Sequence, residues 1–324
     1  MQTPDTLSHV KSLVAEDLKA VDALLLHALS SDVSLVGEVG HHLIESGGKR
    51  LRALLVLLIA RGLGYEGTAH HHLAAVIELI HAATLLHDDV VDNSLLRRGQ
   101  NTANAVFGNS ASVLVGDFLY SRSFQMMVAL QRLDVMQLLS DTTNTIAAGE
   151  VLQLMHLQNP GLTEADYFAI IERKTAALFE AATALGAMVS TADQSLIEKF
   201  KLFGKHFGIC YQLIDDALDY SGDESVLGKQ IGDDLKEGKI TLPLIHALQA
   251  LPDTEKSDLL NVILQCEENA FDLVTQAITA SDAILYTAKF AKTQADKAKA
   301  LLNNNNLYFA AIIELLDYVV EREC

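Results

Sequence analysis

Apolar residues recur at helical spacing along almost the whole chain, as in Leu13, Leu18, Val21, Leu24 and Leu25 near its start and Leu301, Leu302, Phe309, Ile312, Ile313 and Leu316 near its end. A stripe at that spacing is the face a helix turns to a core. The alternation that a half-buried strand would need is nowhere sustained, so the pattern predicts an all-α protein. Thr163 followed by Asp166, and Ser281 followed by a fresh apolar period, predict helix starts. The asparagine run 303–306 predicts a turn between helices, and the last quarter reads as small amphipathic helices. Proline occurs only at Pro4, Pro160, Pro243 and Pro252, which leaves room for long helices. With no Pro/Gly/Ser-rich linker and no break in composition, residues 1–324 read as a single domain.

Half of the residues are apolar, and 24 basic against 42 acidic residues give a net charge of −18. That balance speaks against nucleic acid as a partner, because phosphate backbones are bound by basic surfaces. It also makes local basic clusters informative. Cys210, Cys266 and Cys324 lie far apart without a CxxC pair, which suggests neither a disulfide framework nor a zinc site and fits a reducing cytoplasm. The start MQTPDTLSHV lacks a basic region followed by an apolar run, and no stretch is apolar and charge-free enough for a membrane span, so a soluble protein is expected. The run His70-His71-His72 reads as an adventitious surface cluster.

The strongest chemical signal is Asp88-Asp89-Val90-Val91-Asp92, at the end of the apolar helix expected over Ala74–Leu86. At 100° per residue Asp88 and Asp92 share one face about a turn apart, close enough for one cation to bridge. The approach AAVIELIHAATLLH offers no Lys or Arg a turn earlier, so buried carboxylates here call for a cation or a basic ligand. Such hard oxygen ligands suit magnesium, commonly held by one or two carboxylates plus substrate phosphates. A second triplet, Asp215-Asp216-Ala217-Leu218-Asp219, repeats the spacing within GICYQLIDDALDY. One acidic triplet alone is an ordinary solvated helix end. Two of the same spacing in apolar helices describe a diphosphate clamp. The cations such a clamp needs stand in Gly47-Gly48-Lys49-Arg50-Leu51-Arg52 and in Arg97-Arg98-Gly99.

The order GGKR, HAATLLHDDVVD, RRG, ASVLVGD, GEVLQL, KTA, YQLIDDALD, LGK, GDDLKEGK and TLP resembles the trans-polyprenyl diphosphate synthases over roughly residues 40 to 250, and most of all the bacterial octaprenyl diphosphate synthases. The resemblance implies an isoprenoid-synthase-type helical bundle around a deep central cavity, usually a homodimer, and three magnesium ions when the allylic diphosphate is bound. By matching position it implies that Asp88, Asp92, Asp215 and Asp219 coordinate magnesium, with Asp89 and Asp216 in support. It places Arg97, Lys174, Thr175, Gln212, Lys229 and Lys239 around the allylic diphosphate, and Lys49, Arg52, His81 and Arg98 around isopentenyl diphosphate. Arg50 is an extra neighbour without an assigned role. Ala53 stands where the family often has Pro, and Ile240 occupies a variable position. His81 lies two turns before Asp88 on the same face, so helix geometry also turns it toward the cavity.

The activity implied is condensation of an allylic diphosphate, such as farnesyl diphosphate, with successive isopentenyl units, for a quinone side chain and with a membrane-soluble product. No Ser/His/Asp or Cys/His constellation competes with it. A class I terpene cyclase typically carries an Asn/Ser/Glu-type second motif, and a non-catalytic subunit usually has degraded aspartate motifs; both triplets here are intact. In this family bulky aromatics four or five residues before the first motif stop chain growth early, and here those positions are Thr84 and Ala83. A tunnel is therefore expected to continue past Ile80 and Ile77, roughly 16 Å below Asp88 at about 1.5 Å per residue. If the next long helix, about Ser112 to Leu130, runs antiparallel, Phe124 and Met127 line the same depth. Such a tunnel suits a long product, octaprenyl by resemblance; a shorter, geranylgeranyl-type product is the alternative.

Overall fold

The computed structural model describes residues 3–45, 47–221, 231–265, 270–302 and 306–322. Lys229, Cys266, Cys324 and most of the asparagine run lie outside them. In chain order the helices are α1 (Thr3–Ser12), α2 (Ala15–Ala28), α3 (Ser34–Glu45), α4 (Leu51–Gly62), α5 (Ala69–Val91), α6 (Ala103–Phe107), α7 (Asn109–Ala129), α8 (Leu133–Met155), α9 (Glu164–Ile171), α10 (Ala177–Met188) and α11 (Gln194–Ser221). They continue with α12 (Asp233–Lys236), α13 (Leu242–Ala250), α14 (Asp253–Leu264), α15 (Ala270–Ala280), α16 (Ala283–Ala300) and α17 (Leu307–Val320). The fold is all-α, as the periodicity predicts.

Two helices with no polar stripe form the centre. In α4 every residue from Ala53 to Ala60 is buried, and in α10 all but Glu180 between Ala177 and Ala187 are. A helix apolar all round has to be enclosed by others. α4 packs on α5, α10 and α17, while α10 packs on α11, which in turn packs on α16. The buried cluster extends from Val10 to Val319. Truncating one of its enclosed leucines, such as Leu57, removes about 2–5 kcal/mol of stability.

α9 starts where Thr163 and Asp166 predict, with a reciprocal capping box between them. The start expected at Ser281 falls one residue later: Asp282, at φ 53°, precedes the first residue of α16. Asn306 caps α17 by accepting the N–H groups of Tyr308 and Phe309. The last quarter is less fragmented than expected, since α16 runs for 18 residues. The first acidic helix is also longer, because the polar His70, His71 and Asp88 continue a geometry that its apolar stripe begins.

Between α5 and α7 the chain forms the sheet that periodicity could not show: β1 (Leu96–Arg97) pairs antiparallel with β2 (Gln100–Asn101). Arg98 and Gly99 both have positive φ, 54° and 75°, which is the two-residue turn that matches strand twist. His87, late in α5, contacts the carbonyl of Val113 at 3.2 Å and Asp117 at 3.4 Å, early in α7. The two helices are therefore antiparallel.

Candidate active site

The C-terminal end of α5 presents the first triplet. Asp88 and Asp92 share a face, as 100° spacing dictates, and the cations missing from their own helix arrive from elsewhere. Lys174 Nζ lies 3.9 Å from Asp88 and 2.7 Å from Glu150. Lys239 Nζ donates to Asp92 at 2.8 Å and to Glu237 at 2.5 Å. Burial pushes the Asp88 carboxyl above its usual range, Lys174 opposes that shift and the neighbouring Asp92 adds to it. Burial works against the Lys239 charge, but Asp92, Asp234 and Glu237 hold its ammonium well above the ordinary lysine range. Asp89 points the other way: it is buried and takes the Arg97 guanidinium at 2.9 and 2.7 Å. It anchors the turn that carries Arg97 and Arg98.

The second triplet sits near the end of α11. Asp216 is enclosed and accepts from Tyr167 Oη at 2.5 Å and Gln212 Nε2 at 2.7 Å. Gln212 in turn accepts from Thr175 at 2.7 Å. Burial, with Asp234 nearby, raises the Asp216 carboxyl to about 8. Asp219 is fully buried and accepts the N–H of Asp234 at 3.1 Å. Asp215 is the more open member and pairs with Arg322 at 2.8 Å.

Lys174 and Thr175 stand on a π-helical turn, Glu172–Ala176, that joins α9 to α10. Such wide turns cluster at functional sites because they re-aim side chains. The turn lies so close to α8 that a Cβ on Gly149 would fall 2.8 Å from both the Lys174 nitrogen and Arg173 Cβ. Lys174, Thr175, Gln212, Asp216, Asp234 and Lys239 line one open cleft.

The remaining sequence-predicted cations gather beside it. Lys49 Nζ sits 5.0 Å over the Tyr318 ring; burial and nearby Arg322 lower its ammonium to about 8. Arg52 is stacked 4.2 Å over Phe179 and reaches His81 Nε2 at 3.2 Å. Burial, then the charges of Arg52 and Arg98, keep His81 neutral, so it is the acceptor in that contact. Arg98 donates to the carbonyl of Gly47, tying the β-turn to the glycine turn before α4. Arg50 faces away, toward Asp22 at 3.3 Å and Glu78 at 3.8 Å. Glu78 also accepts the N–H of Ala53 at 3.1 Å, so it fastens the start of α4, with Lys49 and Arg52, to α5. The apolar residues Ile77, Ile80, Ala83 and Met127 are enclosed, Phe124 is partly buried against the core, and Thr84 donates to the carbonyl of His81 at 2.8 Å.

Several partners were not foreseen. Asp234 stands among other charged residues in GDDLKEGK, and for Glu150 the available signal was a lone carboxylate in the apolar run GEVLQLM. Tyr211 and Glu237 lie within YQLIDDALD and GDDLKEGK but are not distinguished there by residue type, and Tyr167 lies in no motif. Arg322 is invisible to spacing, because it reaches the site from the far end of the chain: its guanidinium lies 4.6 Å over Tyr211. Among the described residues no three carboxylates of the triplets converge within ligand distance of one another. That still fits magnesium, which takes one or two carboxylates and completes its shell with phosphate and water oxygens.

The family profile described as Polyprenyl synthetase matches residues 33–281. The octaprenyl diphosphate synthase of Escherichia coli (strain K12) is 44% identical over 320 residues, covering 98% of this chain and 99% of that one. The all-trans-nonaprenyl-diphosphate synthase (geranyl-diphosphate specific) of Rhodobacter capsulatus is 41% identical over 312 residues, 95% and 96% of the two chains. A crystal structure of a polyprenyl synthase from Caulobacter crescentus, complexed with calcium and isoprenyl diphosphate, superposes with a TM-score of 0.94 at 40% identity, covering 98% of each chain. A match of this length, over a fold that brings cations to both aspartate triplets, means that the chain belongs to the polyprenyl synthetase family of prenyltransferases.

Proposed function

We propose that this protein extends an allylic diphosphate, such as farnesyl diphosphate, with successive isopentenyl units to octaprenyl diphosphate for a quinone side chain. One observation carries the reading: Lys174 and Lys239 line the cleft of Gln212 and Asp216 while touching Asp88 and Asp92, so both triplets serve one anion site. The octaprenyl length is supported by the 44% identity to the Escherichia coli synthase.

In this reading Asp88, Asp92, Asp215 and Asp219 would hold magnesium, which when bound offsets charge on the diphosphate. Arg97, Lys174, Lys239 and Lys229 steady the leaving diphosphate as the allylic carbon–oxygen bond breaks. Thr175 and Gln212 keep Asp216 oriented. Lys49, Arg52 and Arg98 hold isopentenyl diphosphate so that its double bond faces the allylic carbon, and His81 fixes Arg52. A carbon–carbon bond forms, and the proton then lost goes to the released diphosphate. Ile77, Ile80, Ala83, Thr84, Phe124 and Met127 form the apolar wall along which the product grows and from which water is excluded.

The same reading takes the chain as one domain, cytoplasmic and homodimeric. The dimer is supported by the exposed Leu114, Val128, Leu133, Leu154 and Met155 on α7 and α8, a share of apolar surface that a second copy would cover. No helix among the described residues is long and apolar enough to cross a membrane. Farnesyl diphosphate and labelled isopentenyl diphosphate with magnesium test the activity; no incorporation refutes it.

A further inference from the structure

The histidine run does not lie free on the surface as its polarity suggests. His70 is fully enclosed, and it and His71 both turn toward Asp17 in the first turn of α2. Their Nε2 atoms reach the same oxygen, Asp17 Oδ1, at 3.2 and 2.7 Å. The rings are 4.1 Å apart and inclined by 37°. Arg61 holds the carboxylate from the other side, Nε to Oδ2 at 2.9 Å and Nη2 to Oδ1 at 2.5 Å, and donates to the carbonyl of Tyr65 at 2.8 Å. Three nitrogens thus press on one oxygen, more than its lone pairs accept with good geometry.

We propose that Asp17, His70 and His71 form a binding site for a borderline divalent cation such as Zn²⁺, clipping α2 to the start of α5. The three ligand atoms lie within 4.8 Å of one another. Zinc bonds of about 2.0–2.1 Å set tetrahedral ligand separations of about 3.3 Å, so the observed 3.2 and 2.7 Å need to open by about 0.1 and 0.6 Å. On binding, the two imidazoles turn from crowded donors into ligands and the conflict at Oδ1 is relieved. The protonation states suit this. Burial, with His71 beside it, lowers the His70 imidazole to about 4, so the ring is neutral at pH 7 and Nε2 becomes a ligand once its proton shifts to the unpartnered Nδ1. Burial raises the Asp17 carboxyl, but hydrogen bonds from Arg61 and His71 outweigh it and keep the carboxylate ionised.

Two features weaken the affinity. The Arg61 guanidinium repels a dication, and His70 Nδ1 has no partner to strengthen it as a ligand. His71 is 15% exposed and leaves a fourth position for water. His70 precedes Asp88 by eighteen residues of α5, about 27 Å, so this site is separate from the carboxylate cleft.

The test titrates Zn²⁺ calorimetrically into chelator-treated protein, with excess Mg²⁺ occupying the oxygen sites, and measures zinc retained after gel filtration. The wild type retains one equivalent, and its melting temperature rises by about 2–6 °C. H71V and H71Q each bind at least about tenfold more weakly and lose that rise, whereas H72A behaves as the wild type. Cobalt in place of zinc gives the intense visible bands of a four-coordinate site with nitrogen ligands, absent in H71V. Equal zinc binding by H71V and the wild type, or none by the wild type, overturns the proposal.

Discussion

Gly149→Ala tests whether the close approach of α8 to the π-helical turn is what aims Lys174. The added Cβ would stand 2.8 Å from the Lys174 nitrogen and 2.8 Å from Arg173 Cβ, against an ordinary contact of 3.4–4 Å. The turn must therefore move by roughly 0.6–1.2 Å, and because one obstacle is backbone, no rotamer change relieves it. That displacement carries Lys174 away from Asp88 and Glu150, which it now meets at 3.9 and 2.7 Å. A misplacement of about 1 Å costs about 100-fold in turnover, some 2.7 kcal/mol of barrier. The overpacking itself removes about 1–3 kcal/mol of stability. Steady-state incorporation of isopentenyl diphosphate gives kcat and KM, and thermal melting separates the loss of stability. Gly37→Ala, in α3 with open space around the added Cβ, is the control and is expected to keep wild-type kinetics. If Gly149→Ala matched that control in kcat/KM, the turn would not be positioning Lys174.

Three further outcomes follow from the site. Asp88→Ala and Asp215→Ala are each expected to fold, with unchanged circular dichroism, and to lose roughly 100- to 1,000-fold or more in kcat, as removal of one group stabilising the transition state does; near-wild-type turnover in either would sink the metal-clamp reading. The Lys49 ammonium, lowered to about 8, is charged below that pH and neutral above it, so kcat/KM for isopentenyl diphosphate falls as pH rises through about 8. Lys49→Arg stays charged and moves that limb upward; a limb that stays in place rules Lys49 out as its source. Ala83→Tyr fills the enclosed level one turn above Leu79 and shortens the product, judged by chromatography after dephosphorylation; an active enzyme with an unchanged product refutes the tunnel's placement.

What the sequence made legible followed from period and local chemistry. The apolar spacing of α2, α5 and α17, the capping pair Thr163 and Asp166, and the aspartate spacing within each triplet are all encoded within a few residues of one another. The missing features are contacts between distant segments. Lys174 meets Asp88, Lys239 meets Asp92 and Arg322 meets Asp215 only because the helices pack as they do. The inward turn of His70 depends on a carboxylate 53 residues earlier. The π-helical turn that carries Lys174 and Thr175 has no periodic signature, since it alters one turn of an otherwise continuous pattern.

In the proposed function two aspartate triplets and their cations serve one elongation site opening on a long apolar tunnel. The most direct measurement is the product length formed by the purified protein from farnesyl diphosphate, labelled isopentenyl diphosphate and magnesium, resolved after dephosphorylation. The expected product is centred on octaprenol and vanishes without magnesium. Label that stops at geranylgeraniol, or that is never incorporated, would contradict it.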